Sequence, residues 1–121
     1  MKFLPGRHLI DSFGNGGFRF GSLSHQGSIL VLPSGVRALE AASLDEISMA
    51  DIRVIQDEKS QIDFLLIGTG QDMLRLPPAV SKTFADAAIN VDTMNTNAAV
   101  RTYNVVIAEE RRVAALLIAV P

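Results

Sequence analysis

A chain of 121 residues, 48% apolar and 20% charged, has the size and balance of one soluble globular domain that can bury its own core. Its formal net charge of −2 gives no bulk electrostatic reason to bind nucleic acid, and with Arg111-Arg112 the only adjacent basic pair no polybasic segment addresses a membrane surface. The absence of cysteine excludes disulfides, thiolate nucleophiles, iron–sulfur ligation and zinc fingers.

In chain order, the opening "MKFLPGRHLIDS" lacks the apolar run of a secretory signal. "FGNGGFRFG" and "GSILVLPSG" then read as short strands joined in hairpins, with His25-Gln26-Gly27 and Ser34-Gly35 as turns. The period changes after Leu44. Met49, Ile52 and Ile55 recur at helical spacing behind Ser48, which suits an N-cap with Asp51 completing a capping box. "IDFLLIG" is a buried strand, Pro77-Pro78 open a helix with Val80, Phe84 and Ala87 or Ala88 on one face, and "INVDTM" is the next strand. A helix capped by Asn95 or Thr96 follows, and "RRVAALLIAV" closes the chain as a strand. Its apolar run, Val113 to Val120, is 8 residues, too short for the roughly 20 that a spanning helix needs. The expected strands at 62–67, 89–94 and 112–120 form the centre of the sheet, with the hairpins at an edge or folded over it. Residues 1–44 are thus mainly β hairpins and residues 45–121 alternate α and β, within a single domain over 1–121.

The last helix carries the question of function. Ala99, Tyr103 and Val106 share an apolar face, and Tyr103 is expected to anchor the core through its ring and a hydrogen-bonded hydroxyl. One polar file, Asn97, Arg101 and Asn104, interrupts the apolar surface. Arg101 could reach solvent or pair with Asp92 or Glu109 while Asn104 caps a loop. Alternatively, Arg101 and Asn104 line a crevice at the carboxyl ends of the strands with Gly68, Thr69, Gly70 and Thr96, where loops and a helix start favour a carbonyl-rich or anionic group.

Known catalytic patterns are missing. "GTGQDM" has Met73 where a dinucleotide fingerprint needs glycine, and no phosphate-binding P-loop occurs. "GNGGF" lacks a following helix and reads as a turn with positive φ. His8 and His25 have no metal-ligand spacing, and Gly21-Ser22 lies in a turn rather than a nucleophile elbow. No catalytic residue, cofactor or metal is expected.

"IDSFGNGGFRFG", "GSILVLPSGV", "LLIGTG", "PP" and "VDTMNTNAAVRTYNVVIAEERRVAALLIAV" occur in this order over nearly the whole chain. Together they resemble the small α/β family that contains a mitochondrial respiratory complex I assembly factor (assembly factor three) and many uncharacterised prokaryotic proteins. The most specific portion is "MNTNAAVRTYNVVIAEERRVAALLI". Val100 stands where many members have cysteine, so a thiol role elsewhere in that family could not extend to this chain. Ala38 or Leu39 likewise replaces an aromatic.

The resemblance implies an α/β, three-layer domain around a mixed central sheet, with helices packed on it and the last strand antiparallel to its neighbours. It implies no established enzymatic activity. The expected function is a non-catalytic interaction or assembly module with a protein partner, associated with membrane respiratory complexes and at most peripheral to the membrane. The alternative is a small-ligand, anion-binding domain using the crevice near Gly68-Gly70 and Arg101. The mitochondrial members carry a targeting extension and this chain starts on the domain, so a bacterial cytoplasmic location is expected.

Overall fold

The computed structural model describes residues 3–121. Nine strands and three α-helices follow one another as β1 (Phe3–Pro5), β2 (Ser12–Gly14), β3 (Gly17–Phe20), β4 (Leu23–Gln26), β5 (Ser28–Leu32), β6 (Gly35–Leu39), α1 (Met49–Asp57), β7 (Phe64–Gly68), α2 (Pro78–Asp86), β8 (Val91–Met94), α3 (Thr96–Ala108) and β9 (Val113–Leu117). Six strands form a mixed sheet in the order β1-β6-β5-β9-β7-β8, and β2-β3-β4 form a separate antiparallel sheet.

Local chemistry explains the shorter elements. Asn15 and Gly16 both take positive φ, 52° and 80°, as do Gly21 and Ser22 at 52° and 67°. Such pairs close two-residue hairpins whose twist matches the strands they join. The expected turn at His25-Gln26-Gly27 narrows to Gly27, because His25 and Gln26 complete β4 in register with Phe18 and Gly17. At α1 the Ser48 hydroxyl accepts from the Asp51 N–H and the Asp51 carboxylate accepts from the Ser48 N–H, so the capping box is complete. Met49 precedes the buried turn and is 58% exposed, while Ile52 and Ile55 are buried as their spacing requires.

Alternation along the central strands divides the core in two. Leu30, Leu32, Leu65, Ile67, Ala114, Leu116 and Ile118 face α1 and α2, where Ile52, Ile55 and Phe84 meet them. Ile29, Val31, Leu66, Ala115 and Leu117 face α3 and the small sheet, whose Phe18 and Phe20 join Ala99, Tyr103 and Val106. Both faces are covered, so β5, β7 and β9 read as unbroken apolar runs. The hairpins serve two purposes: β5–β6 extends the main sheet and β2–β4 folds over it.

Two expectations need correction. The last strand is antiparallel to β5 on one side and parallel to β7 on the other. A helix crossover from β8 through α3 returns the chain in the direction of β7, whereas β5 arrives from the hairpin region in the opposite sense. The strand at 89–94 is not central either. β8 is an edge strand, consistent with an exposed Asp92 in its middle, since charge is tolerated where water reaches the strand.

Tyr103 is 1% exposed and its hydroxyl donates to the His8 carbonyl at 3.0 Å. Burial pushes the phenol up from 10.0 to about 12, Arg7 opposing slightly. Tyr103→Ala is expected to cost about 3–5 kcal/mol, the scale of aromatic truncation in a packed core. Tyr103→Phe should cost about 1 kcal/mol, the worth of one hydrogen bond. Urea denaturation of the two variants separates these contributions. The folded pKa lies above the unfolded one, so the neutral phenol's contribution is complete below pH 10 and declines as pH rises toward 12. The chain has one tyrosine and no tryptophan, so an ultraviolet titration of the intact protein reads this group alone.

Candidate functional site

The strand ends at Gly68, Thr69 and Gly70 meet the start of α3 with almost no space between them. A Cβ at Gly68 would stand 3.0 Å from both the Cα and the Oγ1 of Thr96, a tight contact that glycine avoids and a side chain would meet only by pushing the helix start back a few tenths of an ångström. Gly70 has φ +109°, a conformation that side chains disfavour. Thr96, 0% exposed, uses its hydroxyl twice: it donates to the Ile118 carbonyl at 2.7 Å and accepts from the Gly70 N–H at 3.0 Å. Its own N–H donates to the Gly70 carbonyl at 2.8 Å. This one side chain therefore joins the ends of two strands to a helix start.

Asn95 is the cap of α3, its side chain accepting from the Ala98 N–H at 2.8 Å. Thr69 is also buried, and its hydroxyl organises the following loop. It donates to the Asp72 carbonyl at 2.6 Å and accepts from the Leu74 N–H at 3.1 Å. The loop so held displays Met73, 57% exposed, and Leu74, 50% exposed. These two residues were not among the sequence candidates. Their signal was apolar side chains in a segment between a strand and a helix, where no core face claims them.

The polar file of α3 divides. Asn97 and Arg101 are exposed, and the Arg101 Nε donates to the Asn97 Oδ1 at 2.9 Å. Neither Asp92 nor Glu109 pairs with Arg101; the ion pairs among the described residues are Lys82–Asp86 and Arg112–Asp63. Asn104 faces elsewhere. Its Oδ1 accepts from the Ile10 N–H and its Nδ2 donates to the Ile10 carbonyl, each at 2.9 Å. The amide thus replaces a strand neighbour for the segment ahead of β2, and Asn104 belongs to the fold rather than to the expected crevice.

A crevice does open beside the joint, of about 210 Å³, between Gly70, Gln71, Asn95, Asn97, Val120 and Pro121. Arg101 is bonded to Asn97 but does not line the crevice. Gly68, Thr69 and Thr96 lie beneath as its support and do not line it. Among the described residues no group of three or more His, Asp or Glu side chains is placed to hold a metal.

Residues 10–118 match the model of a family described as protein of unknown function (DUF498/DUF598). An uncharacterized protein of Rhodobacter capsulatus is 30% identical over 93% of this chain and 85% of its own length. NADH dehydrogenase (ubiquinone) 1 alpha subcomplex assembly factor 3 of Xenopus tropicalis is 26% identical over 91% of this chain. The chain spans 60% of that relative's length. Among solved structures, an outer membrane protein from Bartonella henselae is 49% identical, with a TM-score of 0.90 over 97% of this chain and 98% of that one.

Thr96→Val keeps the shape but leaves the Gly70 N–H and Ile118 carbonyl short of a partner. Unmade bonds at buried groups cost about 1–3 kcal/mol each, so the variant is expected to lose about 2 kcal/mol or more by chemical denaturation. Arg101→Ala should change stability by less than about 0.5 kcal/mol, as exposed substitutions do.

Proposed function

Because the chain belongs to the family of proteins of unknown function DUF498/DUF598, we propose that it is a non-catalytic interaction module that assists assembly of membrane respiratory complexes. At family level an assembly role is supported by the relative named as an assembly factor. The observation that carries the reading to a surface is a set of exposed side chains that the fold does not use. In the loop after Gly70, Thr69 holds Met73 and Leu74 out to solvent, and on α3 Arg101, bonded to the crevice residue Asn97, keeps most of its guanidinium donors unbound. Apolar anchors and a planar, multidentate cation suit a protein partner that offers a carboxylate or chain carbonyls.

The alternative, a small anionic ligand in the crevice, is favoured by Asn95 and Asn97 at the start of α3. Its volume of about 210 Å³ falls below the roughly 300–1,000 Å³ usual for ligand pockets, which favours the protein partner. The proposed location is the cytoplasm, in line with a chain free of cysteine. No described helix is long and apolar enough to cross a membrane. Recovery of a tagged chain in the outer-membrane fraction would overturn the location.

The test uses the tagged full chain as bait in extracts containing native respiratory membranes. Arg101→Ala and a Met73→Asp, Leu74→Asp double variant should keep the thermal transition of the wild type and recover less of the respiratory subunits. Arg101→Lys should fall between, because an ammonium cannot reproduce the bidentate geometry. Unchanged recovery with all three variants sinks the surface assignment, and absence of respiratory subunits from the wild-type bait sinks the assembly reading itself.

A further inference from the structure

The outer edge of the main sheet is open at β8. The β7 amides of Leu65 and Thr69 donate to the carbonyls of Asn90 and Met94, so by alternation Asp92 also faces β7. Val91 and Thr93 then direct their N–H and C=O groups away from the sheet. Their side chains lie on the α2 face, where Val91 packs against the core cluster that contains Phe84. Met94 points to the α3 face.

A trough runs along this edge on the α2 side. One part, about 390 Å³, is lined by Arg75, Leu76, Pro78, Ser81, Val91 and Thr93. A second, about 420 Å³, shares Leu76, Ser81 and Val91 and continues toward Phe84 and Asn90. Arg75 and Asp92 are exposed, and neither belongs to an ion pair among the described residues.

We propose that the β8 edge is a docking site for an extended segment of a partner protein, added to the sheet as a further strand. The backbone of Val91 and Thr93 supplies the hydrogen bonds, and the trough receives alternate side chains of the incoming segment. The segment's chemistry follows from the two charges: apolar or β-branched residues toward the trough, a carboxylate at the Arg75 end, and a basic residue on the opposite face beside Asp92. A second copy of this chain fits poorly. A two-fold dimer would pair the strands antiparallel, and the register that uses both outward residues of each copy sets Asp92 directly against Asp92 of the partner copy. Like charges in that close, non-hydrogen-bonded position are destabilising. This surface contains none of Met73, Leu74, Asn97 and Arg101, so the Arg75 and Thr93 variants test it separately from the interaction surface proposed above, even though Leu74 adjoins Arg75 in the chain.

The test is fluorescence anisotropy of the full chain with a labelled synthetic peptide of alternating Val and Thr, carrying one Glu in the trough-facing set and one Lys in the other, scanned through its positions. Hydrogen exchange of the Val91 and Thr93 amides is followed in parallel. The expected result is saturable binding that slows exchange at both amides. Arg75→Glu should weaken it about tenfold, the scale of one charge-assisted contact, and replacing the peptide's Glu by Lys should restore it. Thr93→Pro removes an N–H that the fold does not use, so it should abolish binding while the thermal transition is retained. Failure of every peptide to bind overturns the proposal, as does binding that leaves both amides exchanging freely or that is indifferent to the charge exchange. A dimer in sedimentation that Thr93→Pro dissolves would give the edge to a second copy and overturn it equally.

Discussion

The structure depends on how closely α3 can approach the end of β7. At Gly68 the gap to Thr96 would crowd a methyl group, and the Thr96 hydroxyl pairs with backbone groups of Gly70 and Ile118 that would otherwise be buried without this partner. Two constraints therefore support each other. Glycine permits the approach, and threonine, at the one position where its hydroxyl reaches both Gly70 and Ile118, makes the approach favourable. A larger residue at the first position or an apolar one at the second would move the helix start, and with it the loops on either side.

From this joint the exposed features follow. With α3 pinned, the chain after Gly70 has to leave the sheet sideways, and the Thr69 hydroxyl turns it through Asp72 to Leu74 before α2 begins. That course puts Met73 and Leu74 outside the core, although both are apolar. After α2, β8 returns as the outermost strand with one side unpaired. The loop with apolar tips and the open strand edge belong to one connection, and Arg75 and Leu76 at the end of that loop line the trough beside the edge. Natural sheets usually blunt such edges. Here the exposed Asp92 in the middle of β8 opposes pairing with an identical strand, which leaves the edge selective rather than closed.

Much of the architecture could be read from the residues because local and tertiary demands agree there. Ser48 with Asp51, Asn95 ahead of α3, and the spacing of Ala99, Tyr103 and Val106 each point to the structure that packing also requires. Family membership was legible from segments spread over nearly the whole chain, most specifically the C-terminal one, and residues 10–118 match the family model. The direction of β9 against β7 was not, because an apolar run such as "VAALL" is equally suited to either orientation and only the crossover decides it. The edge position of β8 had a weak signal in Asp92, which the flanking apolar residues obscured.

The polar file of α3 shows why side-chain roles are harder to read than faces. Helical spacing places Asn97, Arg101 and Asn104 along one side, and it is silent about what crosses that side. The chain ahead of β2 does so, 94 positions away from Asn104, and takes both ends of that amide through Ile10. The neighbouring Tyr103 hydroxyl holds His8 in the same segment, 95 positions away. Two residues of α3 therefore anchor an N-terminal strap over the helix, and the strap in turn is tied to β3 through the bond from Asp11 to Arg19. What remains of the file beyond the strap is Asn97 and Arg101, bonded to each other and otherwise turned to solvent. An asparagine that holds an arginine by its Nε leaves the two terminal nitrogens of the guanidinium directed outward together. That arrangement contributes little to the fold, and it leaves a planar pair of donors free to take a carboxylate.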